Sequence, residues 1–166
     1  MLLTIVALDL YRDHFTRHKR YFTTNTLLVA GIAGLLPDIY IILSAAVSGL
    51  GYSIPLLGHG GVTHTPVFGL IFLLPAAYFW RKEQHKKAVL FAALSFGILF
   101  HIFLDFLLVG GSFEGIMLFW PVSVAAFKIH LLSRFGMSAV PAALDAIILL
   151  GWLWHEQREH KIRDYI

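Results

Sequence analysis

HIFLD, residues 101–105, sets an imidazole and a carboxylate four positions apart. On a helix that spacing puts both on one face, a common way to offer two ligands to a metal ion. Two more polar groups stand out because their surroundings are so apolar. Asp38 lies in LLPDIY, and His64 closes HGGVTH just before the run FGLIFLLPAAYFW. Ionisable side chains in such runs are costly and call for a partner. Asp38, His64, His101 and Asp105 together form a two-histidine, two-aspartate set that suits Zn2+ or a similar divalent ion. A metal would satisfy lone pairs that burial otherwise leaves uncompensated. The competing explanations are local: His101 and Asp105 neutralise each other in a packed bundle, and Asp38 caps the half-helix after Pro37.

The elements that must position these residues are membrane helices. Of 166 residues, 58% are hydrophobic and 14% charged, and mean hydropathy is +0.74; soluble domains carry about a quarter charged residues. Four or five membrane helices with short loops use up the chain, so residues 1–166 read as one membrane-embedded domain with an all-α, polytopic bundle fold. The strongest span is Lys87 to Val109. A second, Thr24 to Val47, is broken by Pro37, which removes a backbone donor. A third runs from His64 to Trp80 with Pro66 in its first turn and a kink at Pro75, and a fourth from Pro141 to Trp154. Leu2 to Tyr11 is at most half a span and lacks the basic start and cleavage site of a signal peptide. Between Gly110 and Gly136 the reading is a loop with a short interfacial helix around Val124 to Ser133.

Basic residues orient the bundle, because Lys and Arg are retained on the cytoplasmic side. Arg12, Arg17, Lys19, Arg20, Arg81, Lys82, Lys86, Lys87, Arg158, Lys161 and Arg163 fall on one side, leaving Lys128 and Arg134 on the other. Residues 12–23, 81–87 and 155–166, the C-terminus included, are therefore expected in the cytoplasm, with 49–63 and 110–140 outside. At about 1.5 Å per residue from those cytoplasmic edges, Asp38 and His101 rise about 21 Å, His64 about 24 Å and Asp105 about 27 Å. Three segments thus bring their polar groups to one level near the outer surface.

Other chemistries are excluded. The chain has no cysteine, so thiolate metal sites and disulfides are impossible. No serine nucleophile has a matching base at recognisable spacing, and no glycine loop has the phosphate-cradling pattern. The net charge of +3 comes from clusters between apolar runs rather than one basic face, which argues against nucleic acid as a partner. Gly58, Gly60 and Gly61 are expected to let the backbone turn beside His64. His59 reads as a loop histidine and Glu114 as a solvent-facing acid, each with a chance to back the ligands from behind. Trp152, Trp154 and Tyr165 fit an interfacial aromatic belt, and the final HEQREHKIRDY reads as a solvated helix end in which His155 and His160 could take adventitious metal.

LLPDIY, HGGVTHT, HIFLD and GSFEGIMLFWPVS, taken in order over residues 26–124, resemble a family of membrane-bound metal-dependent hydrolases, the YdjM-like, LexA-binding, inner-membrane-associated proteins. That family is itself similar to the all-helical zinc-dependent phospholipase C. The resemblance implies that Asp38, His64, His101 and Asp105 are metal ligands and that Trp120 and Pro121 shape the rim. It departs in two places: the family's histidine ahead of the first helix has no counterpart in MLLTIVALD, so that either the start is truncated or the ligand is absent, and Tyr40 stands where a second acid often follows the proline-aspartate pair. Both favour one ion over two.

The reading is therefore an inner-membrane, metal-dependent hydrolase that cleaves phosphate esters of lipids or lipid-linked substrates with metal-activated water, Asp105 and His101 carrying the chemistry. The alternatives are a small metal-ion transporter or a structural membrane protein whose polar cluster only locks helix packing.

Overall fold

The structure, a computed structural model, describes residues 2–15, 21–52, 54, 60–108, 115–137 and 142–159. Helix α1 spans Leu2–His14, α2 Thr24–Ala33, α3 Tyr40–Gly49, α4 Pro66–Leu70, α5 Leu73–Arg81, α6 His85–Leu108 and α7 Ala142–Glu159. Short 3-10 turns at Pro37–Ile39, Val62–His64 and Leu132–Phe135 complete the regular structure. The described chain is all-helical apart from one antiparallel bridge, Ile116 with Phe127.

α6 is the axis. Its sequence is apolar around its whole circumference, so it can be covered on several sides, and α1, α2, α4 and α5 all pack against it. One core cluster joins Ile5 and Leu8 of α1 to Leu27 and Ala30 of α2 and Ala93 of α6. A second, nearer the C-terminal end of α6, joins Ala33, Ile98, Ile102 and Ile116. Between them Gly97 lets α2 and α6 approach backbone to backbone: a Cβ there would collide with the Ala30 carbonyl oxygen and lie 2.9 Å from the Ala33 Cβ. Ser95 Oγ donates to the Gly69 carbonyl at 2.9 Å, tying α4 to the opposite side of α6.

The expected proline break is present and larger than a kink. α2 ends at Ala33, its cap Gly34 donating to the Ala30 carbonyl, and the chain turns through Pro37–Ile39 before α3. The two halves are bent by 47°. The break in the third segment falls at Ile71 and Phe72, just ahead of Pro75, because a proline ring crowds the carbonyl four residues earlier and Pro75 then fits the first turn of α5.

Three expectations are corrected. No helix runs from Val124 to Ser133. The Ile129 and Leu131 N–H groups instead donate to the Phe106 and Leu107 carbonyls at 3.0 and 2.9 Å, and Ile116 and Phe127 exchange backbone bonds of 2.8 and 3.0 Å. The loop is extended because it satisfies carbonyls that the last turn of α6 leaves without helical partners. Trp152 does not sit in an outward belt: its Nε1 donates to Asp9 Oδ2 at 2.9 Å. Nor is the end of α7 merely solvated. Arg12 Nη2 lies 2.7 Å from Asp9 Oδ1 and 3.6 Å from Glu156 Oε1, and His155 Nε2 lies 3.3 Å from Asp13 Oδ2, so α7 is clamped to α1. His160 and Tyr165 lie outside the described residues.

Among the described residues α6 alone is a single helix long and apolar enough to cross a membrane, and the bent pair α2 and α3 makes a second if it counts as one span. The pair α4 and α5 is apolar but shorter. Large apolar side chains nevertheless face outward along several helices, among them Ile42, Leu74, Ile147 and Leu150.

Candidate metal centre

Each polar residue of the site is placed by a local break in helical structure or by the C-terminal half of α6. Pro37 is buried and begins the 3-10 turn, held by Asp38 N–H to the Leu35 carbonyl at 3.1 Å and Ile39 N–H to the Leu36 carbonyl at 3.1 Å. Asp38 does not cap α3, whose first turn has no side-chain cap. Its carboxylate is left to point at the neighbouring segment.

That segment is the turn ahead of α4. Gly60, at φ +82°, adopts a conformation closed to most side chains, and Val62–His64 just after it forms one tight turn. Thr65 Oγ1 donates to the Val62 carbonyl at 2.8 Å, and Pro66 then starts α4. His64 is completely buried. Its Nδ1 lies 3.4 Å from Thr63 Oγ1, which leaves Nε2 facing the α6 residues.

On α6, His101 Nε2 is 3.2 Å from Asp105 Oδ2, the one-turn pair that the i, i+4 spacing dictates. The other segments join it. His64 Nε2 lies 3.4 Å from Asp105 Oδ2 and 3.5 Å from Asp38 Oδ1, and His101 Nε2 lies 3.7 Å from Asp38 Oδ1. Asp38, His64 and His101 each present a ligand atom within 4.8 Å of the others. The structure thus brings all four sequence-identified residues into one cluster.

Four N and O ligands around a tetrahedral zinc with bonds of about 2.0–2.2 Å stand about 3.3–3.6 Å apart. The four imidazole–carboxylate separations of 3.2–3.7 Å lie near that edge length, and the hard-to-borderline donor set suits the same ion. Asp38, His64 and His101, whose ligand atoms lie within 4.8 Å of one another, fit one divalent cation, with Asp105 beside the two imidazoles.

Two neighbours were not legible as site residues. The Tyr40 ring meets His64 edge-on with centroids 5.5 Å apart, walling the cluster where a second acid was looked for. Thr63 orients His64 from the adjacent position; the signal was there, a hydroxyl next to an apolar-flanked histidine. Trp120 lies half-buried in a turn, its N–H 3.3 Å from the Met117 carbonyl, four residues after Ile116, which packs in the core with Ile102. His59 and Glu114 lie outside the described residues.

A second grouping with metal-binding side chains, Asp9, Asp13, His155 and Glu156, joins α1 to α7. It already holds a cation. Arg12 reaches into it, with Nε 2.9 Å from Asp13 Oδ1 in addition to its contacts with Asp9 and Glu156.

An all-helical chain with an apolar axis helix and a buried histidine-aspartate cluster at the end of that helix defines a class, the helical membrane protein with an internal polar site. The family comparison agrees: the chain belongs to the YdjM inner membrane protein family, whose model matches residues 2–162. Membership places it at the inner membrane and names no activity. No curated protein and no solved structure matches it.

Proposed function

We propose that this chain is a multi-pass, membrane-bound, metal-dependent hydrolase that cleaves phosphate esters of lipids or lipid-linked substrates at the outer face of the inner membrane. The observation that carries the reading is the convergence of Asp38, His64, His101 and Asp105 at separations of 3.2–3.7 Å. A single Zn2+ or similar ion bound there would polarise a phosphoryl oxygen and acidify a water. The chain's residues supply the rest. The two carboxylates offset a dication's charge, and the two imidazoles turn Nε2 inward. Asp105, beside His101, is placed to accept a proton from water entering the cluster. Asp38, with 36% of its side chain exposed, stands at the open side.

The bundle reading supports a lipid substrate. In it α2 with α3, α4 with α5, α6 and α7 cross the bilayer, the C-terminus is cytoplasmic, and the cluster lies near the outer surface. Outward-facing Ile39, Ile41 and Ile42 follow Asp38 along the broken span, and Phe119 and Val122 are exposed on the loop that packs on the end of α6. A substrate with acyl or polyprenyl chains reaches the cluster along such a surface without leaving the membrane.

The test is hydrolysis of a panel of phospholipids and polyprenyl phosphates by detergent-purified, zinc-loaded protein, with zinc counted by elemental analysis. Wild type is expected to bind one zinc and release phosphate or a phosphorylated headgroup, and His101→Ala to do neither. Protein that binds no metal, or wild type and His101→Ala that behave alike, overturns the reading.

A further inference from the structure

We propose that the groove between α1 and α6 binds one acyl chain of an anionic glycerophospholipid, whose phosphate is held by Lys86 and Lys87. The groove has a volume of about 530 Å3 and is lined by Leu8, Tyr11, Phe15 and Phe22 on one side and by Val89 and Ala92 of α6 on the other. It shares no residue with the histidine-aspartate cluster, and the inference does not rest on the hydrolase reading.

The lining is almost wholly hydrocarbon, and an apolar cavity holds water poorly. Aromatic rings form one wall of the groove: Tyr11 stacks on Phe15 with centroids 6.0 Å apart and meets Phe22 at 6.1 Å. Its floor on α6 is the small side chains of Ala92 and Ala93. A single acyl chain is slender enough to lie in a groove of this volume.

The headgroup end is marked by charge. Phe22 lines the groove, and its neighbours Tyr21 and Thr23 line a second cavity of about 220 Å3 together with Lys86 and Lys87. Lys86 precedes Val89 by one helical turn, so the ammonium stands on the same stripe of α6 as the groove. Both lysines are exposed. Lys87 Nζ lies 5.3 Å from the Phe79 ring centre, which holds it at this end of the helix. Glu83 shares a neighbouring cavity with them, and the surrounding sequence, Arg81 and Lys82, keeps the end basic. An apolar slot that ends in paired lysines complements a lipid phosphate and repels a second copy carrying the same lysines.

Delipidated protein in neutral detergent is mixed with dioleoylphosphatidylglycerol, with dioleoylphosphatidylcholine, or with glycerol phosphate as the headgroup alone. Native mass spectrometry counts retained lipids, and apparent Tm is followed in parallel. The phosphatidylglycerol is expected to be retained at one molecule per chain and to raise Tm by on the order of 5 °C. Phosphatidylcholine is held more weakly, and glycerol phosphate has no effect. Lys86→Glu/Lys87→Glu, at exposed positions, removes the preference for phosphatidylglycerol. Ala92→Trp fills the groove and removes retention of both lipids while helical circular dichroism is unchanged. Equal retention of both lipids by wild type, unchanged retention in either variant, or a dimer that Ala92→Trp dissociates overturns the proposal.

Discussion

His64 Nε2 lies 3.4 Å from Asp105 Oδ2, although one residue sits in a tight turn before a helix and the other near the end of the longest helix in the chain. The contact depends on α4 being tied along α6 by Ser95 and on the tight turn Val62–His64 that follows Gly60. The properties of the cluster are therefore properties of helix packing, and the variants that test it extend beyond the ligands.

Thr63→Val removes the oxygen 3.4 Å from His64 Nδ1 and changes little else in volume. Partners that orient a ligating histidine are worth about 10- to 100-fold in metal affinity. Given the length of this contact, zinc affinity is expected to fall about 10-fold in a competition titration, with the helical content intact.

Gly97→Ala places a methyl group against the Ala30 carbonyl and the Ala33 side chain. Overpacking of this kind costs about 1–3 kcal/mol, and here it pushes α2 away from α6. Asp38 follows α2 through the Pro37 turn, so Gly97→Ala is expected to lower both apparent Tm and zinc stoichiometry, although residue 97 ligates nothing. Ser95→Ala, which loosens α4, should act on the same two readouts.

Arg12→Ala leaves the wholly buried Asp9 without its closest cationic partner. Removing one partner of a buried pair costs about 3–5 kcal/mol, mostly as the penalty on the charge left behind. Unfolding in graded denaturing detergent should show a loss of that order. The double variant Arg12→Ala/Asp9→Asn should recover part of it, and zinc content should stay at the wild-type level in both.

The orientation is testable because the chain has no cysteine of its own. Lys82→Cys is expected to react with an impermeant maleimide only after the inner membrane is opened, and Ser133→Cys in intact spheroplasts. Reaction of both from the same side would remove the multi-pass arrangement and place the cluster at another depth.

Composition and periodicity determined the all-helical character, the long apolar stretch that becomes α6, and the break at Pro37, because these follow from local chemistry: apolar runs, missing donors and fixed φ angles. The i, i+4 pair His101 and Asp105 was legible for the same reason, since helical geometry alone places them together. What HIFLD could not say is which other segments meet it. Bringing His64 and Asp38 to that pair required the backbone approach at Gly97 and the Ser95 tie to α4, both of them contacts between residues distant in sequence. The loop after α6 and the end of α7 were misread on the same account. Val124–Ile129 forms no helix because the carbonyls of other segments claim the Phe127 and Ile129 N–H groups, and Trp152, His155 and Glu156 turn inward because Asp9, Arg12 and Asp13 of α1 are there to receive them. Local sequence carries the propensity of a segment, and only the folded chain supplies the partner that overrides it.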